Sequence, residues 1–168
     1  MKTKLEPHIC YMAGLLSKSF GKSNEICIAT SIDGIEKKFL DICVKRLKID
    51  PSRIVIDERE THRRIYFYDS RLYKELKRII EREDIIFKRR NEFSSSYVAG
   101  MFDAGGKVRE GSLMIAGMTI KDQLTLENLG VHIRKDRIVS ISSFITLIQG
   151  SSVLLERIHR PGDERDLH

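Results

Sequence analysis

The chain has little of what usually betrays a function at first sight. Its 168 residues include three cysteines, three prolines and no tryptophan. Cys10, Cys27 and Cys43 are odd in number and nowhere spaced as CxxC. That argues against a disulfide framework or a zinc knuckle, and for a reducing, intracellular setting. No apolar run approaches the roughly 20 residues of a membrane span, so no membrane partner is expected. Glu6, Pro7 and His8 stand where a signal peptide has its apolar core. A glycine-rich phosphate loop, an HExxH helix and paired Cys/His spacing are all missing. His8-x-Cys10 is too small a set for a metal site and reads as a helix-start histidine beside a buried cysteine.

What is present is a core and an excess of positive charge. Apolar residues make up 41% and charged residues 32%, enough to bury a core within one compact domain or two small intertwined halves. Lys plus Arg number 30 against 24 Asp plus Glu, a net charge of +6. Residues 1–93 hold 21 basic and 15 acidic residues, so all of the excess lies there; residues 94–168 hold 9 of each. A basic surface favours anionic partners, nucleic acid above all. The alternative is the solvated, ion-pair-rich surface of a heat-adapted protein.

The chain also repeats itself. Tyr11-Met-Ala-Gly-Leu-Leu and Tyr97-Val-Ala-Gly-Met-Phe match at an offset of 86. Ile26-Cys-Ile-Ala29 resembles Leu113-Met-Ile-Ala116 at 87, Arg53-Ile-Val-Ile56 resembles Arg137-Ile-Val-Ser140 at 84, and Arg78-Ile79 resembles Arg157-Ile158 at 79. Order is kept while the offset drifts, as loops of unequal length would produce. Two fused copies of one unit follow: residues 1–82, a basic linker over 83–94 carrying Lys88-Arg89-Arg90, residues 95–160, and a loose tail over 161–168.

The first copy reads as a helix from His8 to Ser19 with Pro7 in its first turn, then an alternating strand from Glu25 to Ile32. A helix through Ile35, Phe39, Ile42 and Leu47 ends before Pro51. A hairpin of Arg53–Asp57 and Arg63–Tyr68 precedes a helix through Leu72, Leu76, Ile79 and Ile80. The second copy repeats this. Its helix spans Ser95 to Ala104, capped from Ser94-Ser-Ser96. Strands near Lys107–Arg109 and Ser112–Met118 follow, then a helix near Lys121–Leu129, a hairpin over Arg137–Ile148 and a helix over Ser151–Arg160.

Ala-Gly in an apolar helix that ends in small residues, occurring twice, resembles the LAGLIDADG homing endonuclease family. Tyr97-Val-Ala-Gly-Met-Phe-Asp-Ala-Gly-Gly106 is the better match; Met12-Ala-Gly-Leu-Leu-Ser-Lys-Ser-Phe20 keeps the helical half. The resemblance implies an α+β fold with pseudo-twofold symmetry, each unit running helix-strand-helix-strand-strand-helix, and two sheets forming a saddle over duplex DNA. Glycine costs about 1 kcal/mol inside a helix, so its recurrence needs a reason. Ala13, Gly14, Ala99 and Gly100 are the expected seam where the two helices meet.

In active members of that family the penultimate motif position is acidic, and the two carboxylates hold divalent metal for phosphodiester cleavage. Here those positions are Ser19 and Gly105. Asp103 matches the earlier acid of the motif. Two residues along a helix is roughly 200° of rotation, so it is expected to serve as a hydrogen-bonding group near the helix end. Glu110 has no counterpart in the first copy. No catalytic residue, metal or cofactor is therefore expected, and Mg²⁺ enters only if displaced acids keep an active nuclease.

Strand alternation sorts the binding candidates. Ile65 and Phe67 are expected to face the helices, and Arg64, Tyr66 and Tyr68 the concave side, with Arg59 and Arg63 near the hairpin tip. Lys22, Lys107, Arg109, Arg134 and Arg137 complete the DNA-binding set; Asp57, Glu58 and Glu60 are at hand for ion pairs instead. The expectation is a monomeric, non-cleaving DNA-binding protein of the cytoplasm or nucleoid, regulatory in role. The rival readings are an active or weakly active nuclease, an RNA-binding or maturase-like protein, and a structural or protein-interaction role.

Overall fold

A computed structural model describes residues 4–21 and 23–158. Two helices run through its centre. Helix α1, Pro7–Leu16, buries every residue from Ile9 to Leu16. It begins at Pro7, whose missing N–H costs nothing in a first turn. It stops three residues before the expected Ser19, where Ser17 turns its hydroxyl back onto the Gly14 carbonyl (2.8 Å). Sequence apolar on all sides makes a helix that is covered on all sides.

Strand β1, Glu25–Thr30, leads into α2, Asp33–Asp41, which continues as a π-helical turn, Ile42–Arg46. Strands β2, Val55–Glu58, and β3, Arg63–Tyr68, form the expected hairpin, and α3, Ser70–Glu81, returns along the sheet with Leu72, Leu76 and Ile79 inward. The bridge between the halves is itself helical: it holds α4, Glu83–Ile86, and the start of α5, Glu92–Gly105. The cap of α5 is Asn91 rather than the serines. Its side chain accepts from the backbone N–H of Phe93 and Ser94, and the Asn91 N–H donates to the Ser94 hydroxyl. Ser94 is thus the third residue of a capping box.

The second half continues with β4, Gly106–Arg109, β5, Ser112–Ile115, and α6, Ile120–Asn128. The hairpin expected over Arg137–Ile148 is corrected. The paired strands are the short β6, Ile133–Arg134, and β7, Arg137–Ile138, turning at Lys135, whose φ is +58°. Ile141–Ile148 is helix α7, burying Phe144, Leu147 and Ile148. Its three isoleucines mimic strand composition, but the 3–4 spacing of the buried residues is helical. Helix α8, Val153–Ile158, follows; the expected end at Arg160 and the tail 161–168 lie outside the described residues.

Both sheets are antiparallel, with orders β1-β3-β2 and β4-β5-β7-β6. Setting β4 aside, the orders correspond strand for strand; turns at 17–19 and 23–24 stand where the first half would carry its β4. Ile26, Ile28, Ile65 and Phe67 from one sheet and Leu113, Ile115 and Ile138 from the other enter one continuous core with α1 and α5. Among the described residues no helix is long and apolar enough to cross a membrane.

Candidate nucleic-acid interface

The site is built outward from the contact of α1 with α5. Both Ala-Gly pairs lie there, and all four residues are buried. A methyl group at Gly14 would sit 1.9 Å from the Tyr97 carbonyl oxygen and 2.9 Å from the Met101 nitrogen. One at Gly100 would sit 2.1 Å from the Tyr11 carbonyl oxygen and 2.8 Å from the Leu15 nitrogen. The contacts are reciprocal, residue for residue, and only glycine admits backbones this close.

Where the two helices end, an open cleft of about 810 Å³ lies between the sheets. Lys18, Ser19, Thr30 and Ser31 line it from the first half, and Gly106, Lys107 and Arg109 from the second. Asp103 reaches its wall but is committed elsewhere. It accepts from the Tyr11 hydroxyl (2.7 Å), the Ser152 hydroxyl (2.6 Å) and the backbone N–H groups of Val153 and Leu154 (both 2.9 Å). Glu110 is exposed in the β4–β5 turn at a φ of +51°. Hard divalent ions need several oxygen ligands, carboxylates first. This cleft offers hydroxyls, cations and one saturated carboxylate, so its donor set does not fit such an ion. No cluster of three His, Cys, Asp or Glu side chains suits a metal among the described residues.

Lys18 is held at the cleft by a half-buried ion pair with Asp122 of α6. Behind it the Tyr97 hydroxyl donates to Glu83 of α4. Burial, and Asp122 nearby, push the Glu83 carboxyl up to about 8. This chain of groups, which its residue spacing does not suggest, ties the end of α1 to α4, α5 and α6.

The outward faces of the two sheets differ sharply in charge. On the first sheet, Ile65 and Phe67 point to the helices and Arg64, Tyr66 and Tyr68 to the other side. Arg63 shares the Ile65 side, where it pairs with Glu36 of α2 (3.0 Å) and Glu58 (3.6 Å). Arg64 pairs with Glu25 (2.7 Å) and lies over the Tyr66 ring, 4.2 Å from its centroid. The Tyr68 hydroxyl donates to the same Glu25 (3.1 Å), and Arg59 pairs with Asp57. The three arginines expected to bind here, Arg59, Arg63 and Arg64, thus each have an acidic partner, while Arg53 donates to the Tyr68 carbonyl (2.8 Å). On the second sheet, Lys107, Arg109, Arg134 and Arg137 are all exposed and enter no ion pair among the described residues. Lys107 pairs across to Met114, Met114 to Arg137, and Arg137 to Arg134, which aligns three cations along one row. Lys22 lies outside the described residues. Sequence reasoning missed Ser112 and Met114 on this face, which only the pairing register reveals.

The chain has the α+β fold of the two-domain LAGLIDADG homing endonucleases. The likeness is to structures of the homing endonuclease I-DmoI. Its complex with DNA and Mn aligns at a TM-score of 0.66 and 17% identity, covering 89% of this chain and 100% of that one. Its complex with DNA and Ca gives 0.61 and 17%, covering 83% and 86%. Mesophilic variants of I-DmoI give 0.62 and 17%, covering 85% and 97%. No family model and no curated protein matches the sequence.

Proposed function

We propose that this chain is a duplex-DNA-binding protein built from two copies of a homing-endonuclease-like unit, residues 1–82 and 95–160, acting as a monomer that does not cut. The observation that carries the reading is the cleft at the ends of α1 and α5: the motif positions are Ser19 and Gly105, and the nearby Asp103 carboxylate already accepts four hydrogen bonds. Lys107 and Arg109 make the cleft attractive to phosphate while leaving it without metal ligands. That is the chemistry of a surface that grips a backbone and leaves it intact, as a regulator would. The similar fold of I-DmoI, solved in complex with DNA, supports duplex DNA as the partner.

Titration of labelled duplex DNA, single-stranded DNA and structured RNA, each with Mg²⁺ and with chelator, tests this. Salt-dependent duplex binding indifferent to the metal is expected. Binding confined to RNA would replace the reading with an RNA-binding one.

A further inference from the structure

We infer that the two sheets hold duplex DNA unequally: the second sheet supplies the phosphate anchor, and the first contributes an electrically neutral face. The inference rests on the duplex-binding reading above and adds which surface does the work. Net charge by halves points the opposite way, since the whole excess of +6 lies in residues 1–93. Charge on a chain becomes charge on a face only where no partner cancels it.

The corresponding rows of the two sheets make the contrast. The offset of 87 aligns Cys27 with Met114. In the second sheet the row through Met114 runs Lys107, Met114, Arg137, Arg134. It crosses all four strands, about 14 Å at the usual strand spacing. Arg109, opposite Ser112, adds a further cation with no ion pair among the described residues. In the first sheet the row through Cys27 runs Cys27, Tyr66, Val55 and holds no charge. The next row holds Ala29, Arg64 and Asp57, and Arg64 is bound to Glu25. For Arg64 or Arg59 to meet a phosphate, each must first leave a carboxylate that would then face the DNA. Lys107, Arg109, Arg134 and Arg137 need only shed water and counterions, which is the term that dominates non-specific affinity.

The test measures the slope of log K against log salt for the full chain on a duplex of arbitrary sequence. The Arg134→Gln/Arg137→Gln and Lys107→Gln/Arg109→Gln double variants should each flatten the slope by about one to two units. Arg59→Gln/Arg64→Gln should leave it nearly unchanged. Glu25→Gln, which frees Arg64 without removing a cation, should tighten binding and steepen the slope by up to about one unit. All these side chains are on the surface, and matching melting temperatures would show that the fold is kept. Equal flattening by the first-sheet and second-sheet variants, or a Glu25→Gln variant no tighter than wild type, would overturn the unequal division while leaving duplex binding intact. Failure of the wild type to bind duplex would overturn the function itself.

Discussion

The hydroxyl of Tyr11 in α1 donates to the carboxylate of Asp103 in α5 at 2.7 Å, across the contact between the two central helices. The same carboxylate takes the Ser152 hydroxyl and the first N–H groups of α8. Asp103 thus joins three helices, and Asp103→Ala would strand four donors at once. A buried donor left unpaired costs about 1–3 kcal/mol, so the variant should lose at least about 3 kcal/mol in urea denaturation. Tyr11→Phe removes one donor cleanly and should lose only about 1 kcal/mol.

The glycine seam makes a sharper demand. Alanine is the better helix former by about 1 kcal/mol, yet at Gly14 or Gly100 its methyl would overlap a backbone carbonyl at 1.9 or 2.1 Å. Backbone cannot rotate aside as a side chain can. Gly14→Ala and Gly100→Ala should each therefore destabilise by about 1–3 kcal/mol or more, as overpacking does. A thermal melt equal to wild type would mean that the helices stand further apart.

Glu83 carries a pH signature. Burial raises its carboxyl from 4.5 to about 8, so between those values the folded chain keeps a proton that the unfolded chain releases. The stabilisation is complete below pH 4.5 and is lost as pH rises through 8. Denaturation midpoints of wild type should fall across that window. Glu83→Gln, which keeps a hydrogen-bonding group but cannot ionise, should flatten that part of the profile.

Restoring acids at Ser19 and Gly105 together should create ion binding, readable as a Mn²⁺ titration. The gain should be modest, because a Cβ at Gly105 meets the Ala116 carbonyl at 3.2 Å and the turn after β5 must give way to admit it. No Mn²⁺ binding by the double variant, with its fold preserved, would mean that the two positions do not converge.

What the sequence made legible follows from what periodicity and repetition encode. The Ala-Gly pairs marked α1 and α5 because only a close approach justifies glycine inside two apolar helices. Alternation sorted Ile65 and Phe67 from Tyr66 and Tyr68. Helix α7 was misread because isoleucine and threonine favour strands when packing is ignored. Pairing of charges was not legible: Arg64 meets Glu25, 39 residues away, through strand register. Nor was the Lys18–Asp122 pair, which joins residues 104 apart in sequence. Composition placed the positive charge in the first half, whereas among the described residues the unpaired cations of the sheet faces are in the second.

The most direct measurement incubates supercoiled plasmid with an excess of the protein in Mg²⁺ and in Mn²⁺. Samples run on a gel before and after the protein is digested away. A plasmid retarded before digestion and wholly supercoiled after it is the expected result: DNA bound and uncut. Nicked or linear plasmid would contradict the account, and loss of that product in Asp103→Asn or Glu110→Gln would show that a displaced acid had taken over the missing carboxylates.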